Sequence, residues 1–561
     1  MPKVKRPSTP SKGGIVIGYD LRNKHHEQLF YLGDDVHSMI LGMTRSGKTR
    51  NMLLQSICFT GLANESMIIS DPKGELYGYT AAFLRILGYE VMALDFKTPT
   101  KSHSYNFLQP IINMLKTGNT PKAVELIWDI TSALVPTSNK GEPIWENGEA
   151  SIIAGAIMAT VYDNQDKPAL QNMTNVYHFI AVMCQANEKG VMPLNLYVDR
   201  LPDDHPAKGL FAVAMTAPAR TRGSFVTAAL GKLKLFTSPY VYNMTSKSDF
   251  NLADVGSKKH AIFIILPDGR DTYNSLASLF VYQQYQALLE NADSNGGRLK
   301  VRTNFMLEEF GNFTKIPSFT QMLTVGGGRG IRLNLVIQSF SQLDEKYGKE
   351  NADTIRDNCH CLVYLHSENP NTNGDISKRL GKYTTSSYGR SNNTSSRSAV
   401  NSSASLNLIA RDLLMPEEVK KIERPYVLVM YSGNDPAIMV MPDISQWFFN
   451  DMLGMGDKDT NQKVRIARDN QRKAIEQKPI ELWQSLYSYK YEIGRVSEQS
   501  ADAQSEGGYF NNNYAPNPED FTGDLSFGDD YDTDDADDDA SEESAEEVLS
   551  RARGWSKNTS S

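Results

Sequence analysis

Gly42-Met43-Thr44-Arg45-Ser46-Gly47-Lys48-Thr49 fits the pattern G-x-x-x-x-G-K-S/T at every fixed position. An apolar strand candidate, Ser38 to Leu41, leads into it, and an apolar helix candidate, Met52 to Phe59, leads out. This order is what a phosphate cradle requires. Consecutive backbone N–H groups must turn inward around an anion, and glycines permit the close approach. The following helix then brings its positive end to the same point. All eight residues are candidates for nucleotide binding. Lys48 is placed to reach β- and γ-phosphates, and the Thr49 hydroxyl to ligate Mg²⁺.

Outward from the loop, short apolar runs alternate with amphipathic stretches. The expected fold class is α/β, a parallel sheet with covering helices. His37 to Leu41, Met67 to Ser70, Val91 to Leu94, His260 to Leu266, Asn304 to Leu307, Leu333 to Ile337, Cys361 to Leu365 and Tyr426 to Tyr431 are the strand candidates. The long gap from Gln109 to Asn243 shows helical spacing instead, as in Ala123, Leu126, Ile127, Ile130 and Leu134. It reads as an all-α domain inserted into the α/β domain, with Trp145, Ile152 and Ile153 in its core.

A phosphate loop needs an acidic partner on a neighbouring strand. Phe305-Met306-Leu307-Glu308-Glu309 supplies one, an apolar strand ending in two carboxylates. Glu308 would hold the magnesium, and Glu309 would orient or deprotonate the attacking water. Gln338 ends the next strand and can sense the γ-phosphate and water. Between these strands Arg329 stands among glycines, Gly326 to Gly330, and could act in trans as a finger in a ring of subunits.

The overall charge is −8, but it is unevenly placed. From Ser497 onward there are 18 acids and 3 bases, a net of −15, which leaves +7 on the 496 residues before it. The tail reads as disordered and acidic. Thr384 to Ser405 is so rich in Ser, Thr and Asn that it reads as a mobile loop. Lys463 to Gln477 is basic and helix-like. The basic N-terminus (Lys3, Lys5, Arg6, Lys12) has no apolar stretch after it, so a secretory signal is not expected. The longest weakly polar run, Ala150 to Tyr162, is short of the about 20 residues that span a bilayer. Cys58, Cys184, Cys359 and Cys361 form neither a disulfide framework nor a zinc pattern, so a reduced, cytoplasmic protein is expected.

Taken in order, the motifs resemble the TraG/TraD-type coupling proteins of conjugation and type IV secretion. They are the loop at Gly42 to Thr49, Ser70-Asp71-Pro72-Lys73-Gly74-Glu75-Leu76, Phe107-Leu108-Gln109-Pro110, Glu308-Glu309-Phe310-Gly311, Ile316-Pro317, Gly328-Arg329-Gly330-Ile331, Gln338-Ser339, Gln342-Leu343, Ile376-Ser377 through Leu380-Gly381, and Leu413 to Glu418. The resemblance spans about Gly33 to Asp443. It implies a RecA-like P-loop domain with an inserted all-α domain, assembled as a homo-hexamer and hydrolysing ATP with Mg²⁺. It implies partners as well: single-stranded DNA bound to a relaxase, relaxosome accessory proteins, and the ATPase of a type IV secretion channel. Lys48, Glu309, Gln338 and Arg329 are then the catalytic candidates, with Thr49 and Glu308 at the metal. Asp71 and Lys73 belong to a family motif that could add charge near the phosphates or simply stabilise a turn.

The expected domains are a basic N-terminus (1–14), a split nucleotide-binding domain (15–109 and 244–445), the all-α domain (110–243), a helical linker (446–496) and the acidic tail (497–561). Two departures stand out. The family pair normally begins with Asp, and here it is Glu308, whose extra methylene moves the carboxylate by about 1.5 Å. Family members usually carry N-terminal transmembrane helices, and this chain begins almost at the nucleotide domain. A separate membrane-anchoring protein is therefore expected to hold it peripherally at the inner face of the cell membrane. The tail is a docking candidate for relaxase and accessory proteins. The alternative functions are a nucleotide-binding receptor platform with little hydrolysis, motivated by Glu308, and an FtsK-like double-strand DNA translocase.

Overall fold

The computed structural model describes residues 10–20, 28–135, 143–187, 190–267, 271–393, 401–446, 450–453 and 477–493, with isolated positions between the last two segments. The acidic tail, most of the N-terminal fourteen residues and most of Lys463 to Gln477 lie outside the described residues.

Thirteen strands are described: β1 (Val16–Asp20), β2 (Gln28–Tyr31), β3 (Ser38–Gly42), β4 (Ser66–Asp71), β5 (Glu90–Asp95), β6 (His260–Ile265), β7 (Thr303–Leu307), β8 (Ile331–Ile337), β9 (Cys361–His366), β10 (Lys382–Asn393), β11 (Asn401–Asp412), β12 (Tyr426–Tyr431) and β13 (Ala437–Val440). Eleven of them make one sheet in the order β2-β1-β13-β12-β9-β3-β8-β7-β4-β6-β5. From β9 to β5 every neighbouring pair is parallel. The four strands beyond β9 pair antiparallel. All eight strand candidates lie in this sheet.

Strands β3, β4, β6, β7 and β8 are buried at every residue, which is why each carries an apolar run, with polar residues mostly towards its ends. Successive residues still face opposite ways. Ile40, Met306 and Val336 pack with helices Leu54–Leu62 and Glu75–Ile86 on one face. Met39, Leu41, Leu307, Leu335 and Ile337 share the other core with the helices that lie between β5 and β6.

Among the described residues, the chain between β5 and β6 holds helices and no strand, from Gln109–Lys116 to Pro239–Thr245. Asn119 and Asn172 cap two of these helices by accepting the N–H of Lys122 and Asn175. Gly155 lets its helix lie against Phe211, since a Cβ there would stand 2.4 Å from the ring. Trp145 departs from the expected core. It is 47% exposed and lies edge to face with Phe225. It shares a helix face with the fully buried Ile152, but the start of Pro143–Tyr162 is open to solvent, with Ile144 exposed as well.

Thr384 to Ser405 also differs from its reading as a loop. Strands β10 and β11 pair from Lys382↔Asp412 to Asn393↔Asn401, forming a separate two-stranded ribbon. Its low hydrophobicity hid it, because strand patterning is read from alternating apolar residues and most of this stretch is Ser, Thr or Asn. Tyr388 and Leu406 are opposite each other and both are exposed.

Residues 477–493 fold back on the helices between β5 and β6. Asn175 donates to Glu481 O and accepts from Trp483 N, both at 2.9 Å, and Asn243 Oδ1 accepts from Lys478 N. Trp483 stacks on Phe179 with Leu486 buried beside it. Trp483→Ala is expected to cost the docked segment about 3 kcal/mol, the usual scale for a buried aromatic. Limited proteolysis should then cut within 477–493 while the sheet stays intact, and an unaltered digestion pattern would contradict this packing.

A candidate nucleotide site at the carboxyl edge of the sheet

Parallel strands deliver their carboxyl ends to one edge. There β3, β8, β7 and β4 present the loop at Gly42, then Gln338, Glu308 and Asp71. Within the loop, Met43 N–H donates to His366 O at 2.9 Å, and Ser46 N–H to Met43 O at 3.2 Å. Arg45 and Gly47 take φ values of 67° and 98°, and these two left-handed residues bend the chain into a cradle. Gly42 is required by contact, since a Cβ would stand 2.4 Å from Ser46 Oγ. Ser46 Oγ is buried and unpartnered within the protein. Thr44 and Arg45 are exposed on the outside of the turn.

The helix starts at Lys48 with a π-helical stretch, Lys48–Leu53, and continues as Leu54–Leu62. Lys48 is almost fully buried. Its Nζ donates to Gly42 O at 2.6 Å and lies 3.3 Å from Glu309 Oε1. Thr49 Oγ1 donates to Glu308 Oε1 at 2.5 Å. Glu309 adopts φ 53°, a left-handed conformation costing on the order of 1–2 kcal/mol in a non-glycine residue. That turn carries its carboxylate to Lys48 and to Gln338, whose Nε2 donates at 2.8 Å. Gln338 is positioned in turn by Gln342, which accepts its backbone N–H. The structure thus brings the five residues together as two adjacent groups: Thr49 bonded to Glu308, and Lys48 and Gln338 both held to Glu309, with Glu308 feeling the charges of Lys48 and Glu309.

Burial pushes the Glu308 carboxyl up to about 8, with nearby Asp71 and Glu309 adding to the shift and the Thr49 hydroxyl opposing it. Asp71 is raised to about 6, again chiefly by burial. One Asp71 oxygen accepts the Tyr77 N–H at 2.8 Å and caps helix Glu75–Ile86, and the other is buried without a partner. This fits the turn-stabilising alternative for Asp71, and Lys73 is exposed. Burial disfavours the charged forms of both Glu308 and Asp71, and an added cation would favour them. Among the described residues, however, no group of three His, Cys, Asp or Glu is arranged to hold a metal alone. A divalent ion here needs phosphate oxygens to complete its shell, as Mg²⁺ commonly does. The cradle, the orphaned Ser46 hydroxyl and the Thr49–Glu308 pair fit a magnesium–nucleotide.

Arg329 is not brought to this cluster. It precedes β8, so the length of that strand, on the order of 20 Å, separates it from Gln338. Its guanidinium pairs with Asp293. Within one chain it is remote from Lys48.

Sequence reading missed the clamp on the loop's helix. Arg50 makes two parallel hydrogen bonds to Asp443, at 2.9 and 2.7 Å. Asn51 Nδ2 donates to Met441 O at 3.0 Å, and Gln55 Nε2 to Pro442 O at 2.5 Å. The segment after β13 therefore holds the first turns of the helix. The available signal was the polar pair Asn51 and Gln55, four apart in an apolar helix, because such buried amides need partners.

This arrangement has relatives. TraG of Escherichia coli, a conjugal transfer protein, is 26% identical over 459 residues, covering 76% of this chain and 70% of that one. VirD4 of Rhizobium radiobacter is 24% identical over 410 residues, covering 72% of this chain but only 56% of that one. The solved bacterial conjugative coupling protein TrwB aligns with TM-score 0.55 at 19% identity, over 74% of this chain and 86% of that chain. It has also been solved in complex with ADP and Mg²⁺. The likeness shows a common RecA-like fold. A sequence model of the family described as Type IV secretory system Conjugative DNA transfer matches residues 3–463. With that match over most of its length, and with the loop and its acidic partners in one cluster, the chain belongs to the conjugative DNA transfer family of type IV secretory systems.

Proposed function

We propose that this chain is an ATP-hydrolysing coupling motor. It takes a relaxase-bound single strand of DNA and delivers it to a type IV secretion channel. The observation that carries the reading is the cluster of Lys48, Thr49, Glu308, Glu309 and Gln338 at the end of parallel strands. Lys48 binds β/γ-phosphate oxygens, and Thr49 and Glu308 hold Mg²⁺. That ion, when bound, neutralises phosphate charge. Glu309 holds the attacking water and takes its proton, and Gln338 orients Glu309 through the hydrogen bond already present. Without ligand, Lys48 and Thr49 are engaged by the two carboxylates, so nucleotide and metal exchange partners with groups already in place. The complex of TrwB with ADP and Mg²⁺ supports the same pair of ligands here.

The proposal extends to a homo-hexamer, in which Arg329 of one subunit serves the neighbouring site. The domain boundaries stated above accompany it, with the tail as a dock for relaxase and accessory proteins. No helix among the described residues is long and apolar enough to cross a membrane. A separate anchoring protein at the inner face of the membrane, and contact with the channel ATPase, complete the scheme. A second reading, a receptor platform with little turnover, is favoured by Glu308 in place of Asp and by its direct contact with Thr49.

Phosphate release with and without single-stranded DNA separates the two. The motor reading expects DNA-stimulated turnover. It also expects Glu309→Gln to reduce turnover about 10²–10⁴-fold, the usual contribution of a positioned base, with nucleotide still bound. Wild-type turnover no higher than that of Glu309→Gln supports the platform instead.

A further inference from the structure

Arg424 stands against the phosphate loop and plays no part in the cluster described above. The strand order places β9 and then β12 on the flank of β3 opposite β8 and β7. Because β12 runs antiparallel to β9, the residues that lead into β12 stand at the loop's edge of the sheet. This segment is tied down on both sides. His366 Nδ1 lies 2.9 Å from Ile422 O, and the His366 carbonyl accepts the Met43 N–H of the loop. Met441 N–H donates to Pro425 O at 2.7 Å, while Met441 O accepts from Asn51 on the loop's helix.

The Arg424 side chain reaches the loop itself. A Cβ built on Gly47 would stand 2.8 Å from Arg424 Cδ, so the arginine's arm lies on the glycine's backbone. Neighbouring cations are already paired, Arg50 with Asp443 and Lys420 with Glu368. Arg424 is exposed, and among the described residues no carboxylate pairs with its guanidinium.

We infer that Arg424 is a further binding residue for the nucleotide, with its guanidinium taking oxygens of the α- and β-phosphates. The inference rests on the nucleotide reading of the site. Only Nε and the guanidinium group lie beyond Cδ, so the charge stays close to Gly47, whose N–H belongs to the cradle. The planar fork suits two phosphate oxygens at once. The γ-phosphate is served from the other flank by Lys48, Glu309 and Gln338. Arg424 therefore recognises the diphosphate part common to ADP and ATP.

The test is binding of a fluorescent ADP analogue and of a non-hydrolysable ATP analogue to the full chain. Arg424→Ala weakens both by the same factor, about tenfold or more, as expected for losing a charged, hydrogen-bonded contact to phosphate. Arg424→Lys loses less, Lys420→Ala loses nothing, and KM for ATP rises with the ADP dissociation constant. The thermal midpoint without nucleotide matches wild type, since the side chain is exposed. Wild-type ADP affinity in Arg424→Ala, or a loss confined to the triphosphate, overturns the assignment. If the wild-type chain binds neither analogue, or Lys48→Ala binds both as tightly as wild type, the nucleotide reading itself fails and this inference falls with it.

Discussion

Lys48→Ala is expected to abolish nucleotide turnover, with a loss of at least about 10²–10³-fold, the scale seen when a group stabilising transition-state charge is removed. Lys48 is nearly sealed from water, and its ammonium joins the Gly42 carbonyl to Glu309. Without it Glu309 loses its counter-charge, and Glu308 loses one of the two influences that keep its pKa from rising further. The site would then keep its acidic groups and have no lysine to bind phosphate oxygens. Affinity for the nucleotide should fall together with turnover, unlike the Glu309→Gln case, where binding survives. Phosphate release and fluorescent-nucleotide titration measure the two effects separately. Turnover near the wild-type rate in Lys48→Ala would remove the motor reading.

Arg332→Ala is expected to have the largest effect on stability, about 3–5 kcal/mol, as found when one partner of a buried ion pair is removed. Arg332 lies at the start of the central strand β8 and is 2% exposed. Burial lowers its pKa to about 10, opposed by Glu65, so it remains charged at neutral pH. Its guanidinium pairs with Glu65 and donates to Gly13 O at 2.9 Å and Leu32 O at 3.1 Å. Glu65 in turn accepts from Gly13 N and Asn304. The pair thus ties the chain on either side of the β1–β2 hairpin to the edge of the sheet remote from Lys48. Urea unfolding should show the loss, while turnover at a temperature where the variant is folded should stay close to wild type. Replacing both Arg332 and Glu65 by leucine should recover part of the stability, because no unpaired charge is left inside. A single variant as stable as wild type would show that the pair does not pin the hairpin.

Particular elements show how far the sequence could be read. The loop was legible because its function is carried by contiguous residues: glycines at fixed spacing, a lysine and a threonine. The parallel strands were legible because burial on both faces gives each of them an apolar run. That Glu308, Glu309 and Gln338 stand near the loop was legible from their places at strand ends, since parallel strands must present those ends at one edge. The ribbon of β10 and β11 was missed because its Ser, Thr and Asn residues carry no burial signal. Strands β1, β2 and β13 escaped because short antiparallel additions are defined by the neighbour they pair with. Trp145 was misplaced because helical spacing identifies a face but not how far the packing partners extend along it.

The sequence by itself determined the phosphate cradle, the parallel α/β core and the family, because each rests on short-range order along the chain. Only the tertiary structure decided which distant charges meet. Asp443 reaches Arg50 across 393 residues of chain, and Glu65 reaches Arg332 across 267. It also decided that Arg424 lies on Gly47, that residues 477–493 dock on the helices between β5 and β6, and that Arg329 is remote from Lys48. Pairing between distant residues depends on the order of strands in the sheet. That order is set by the packing of the whole chain and leaves no periodic trace in any one segment.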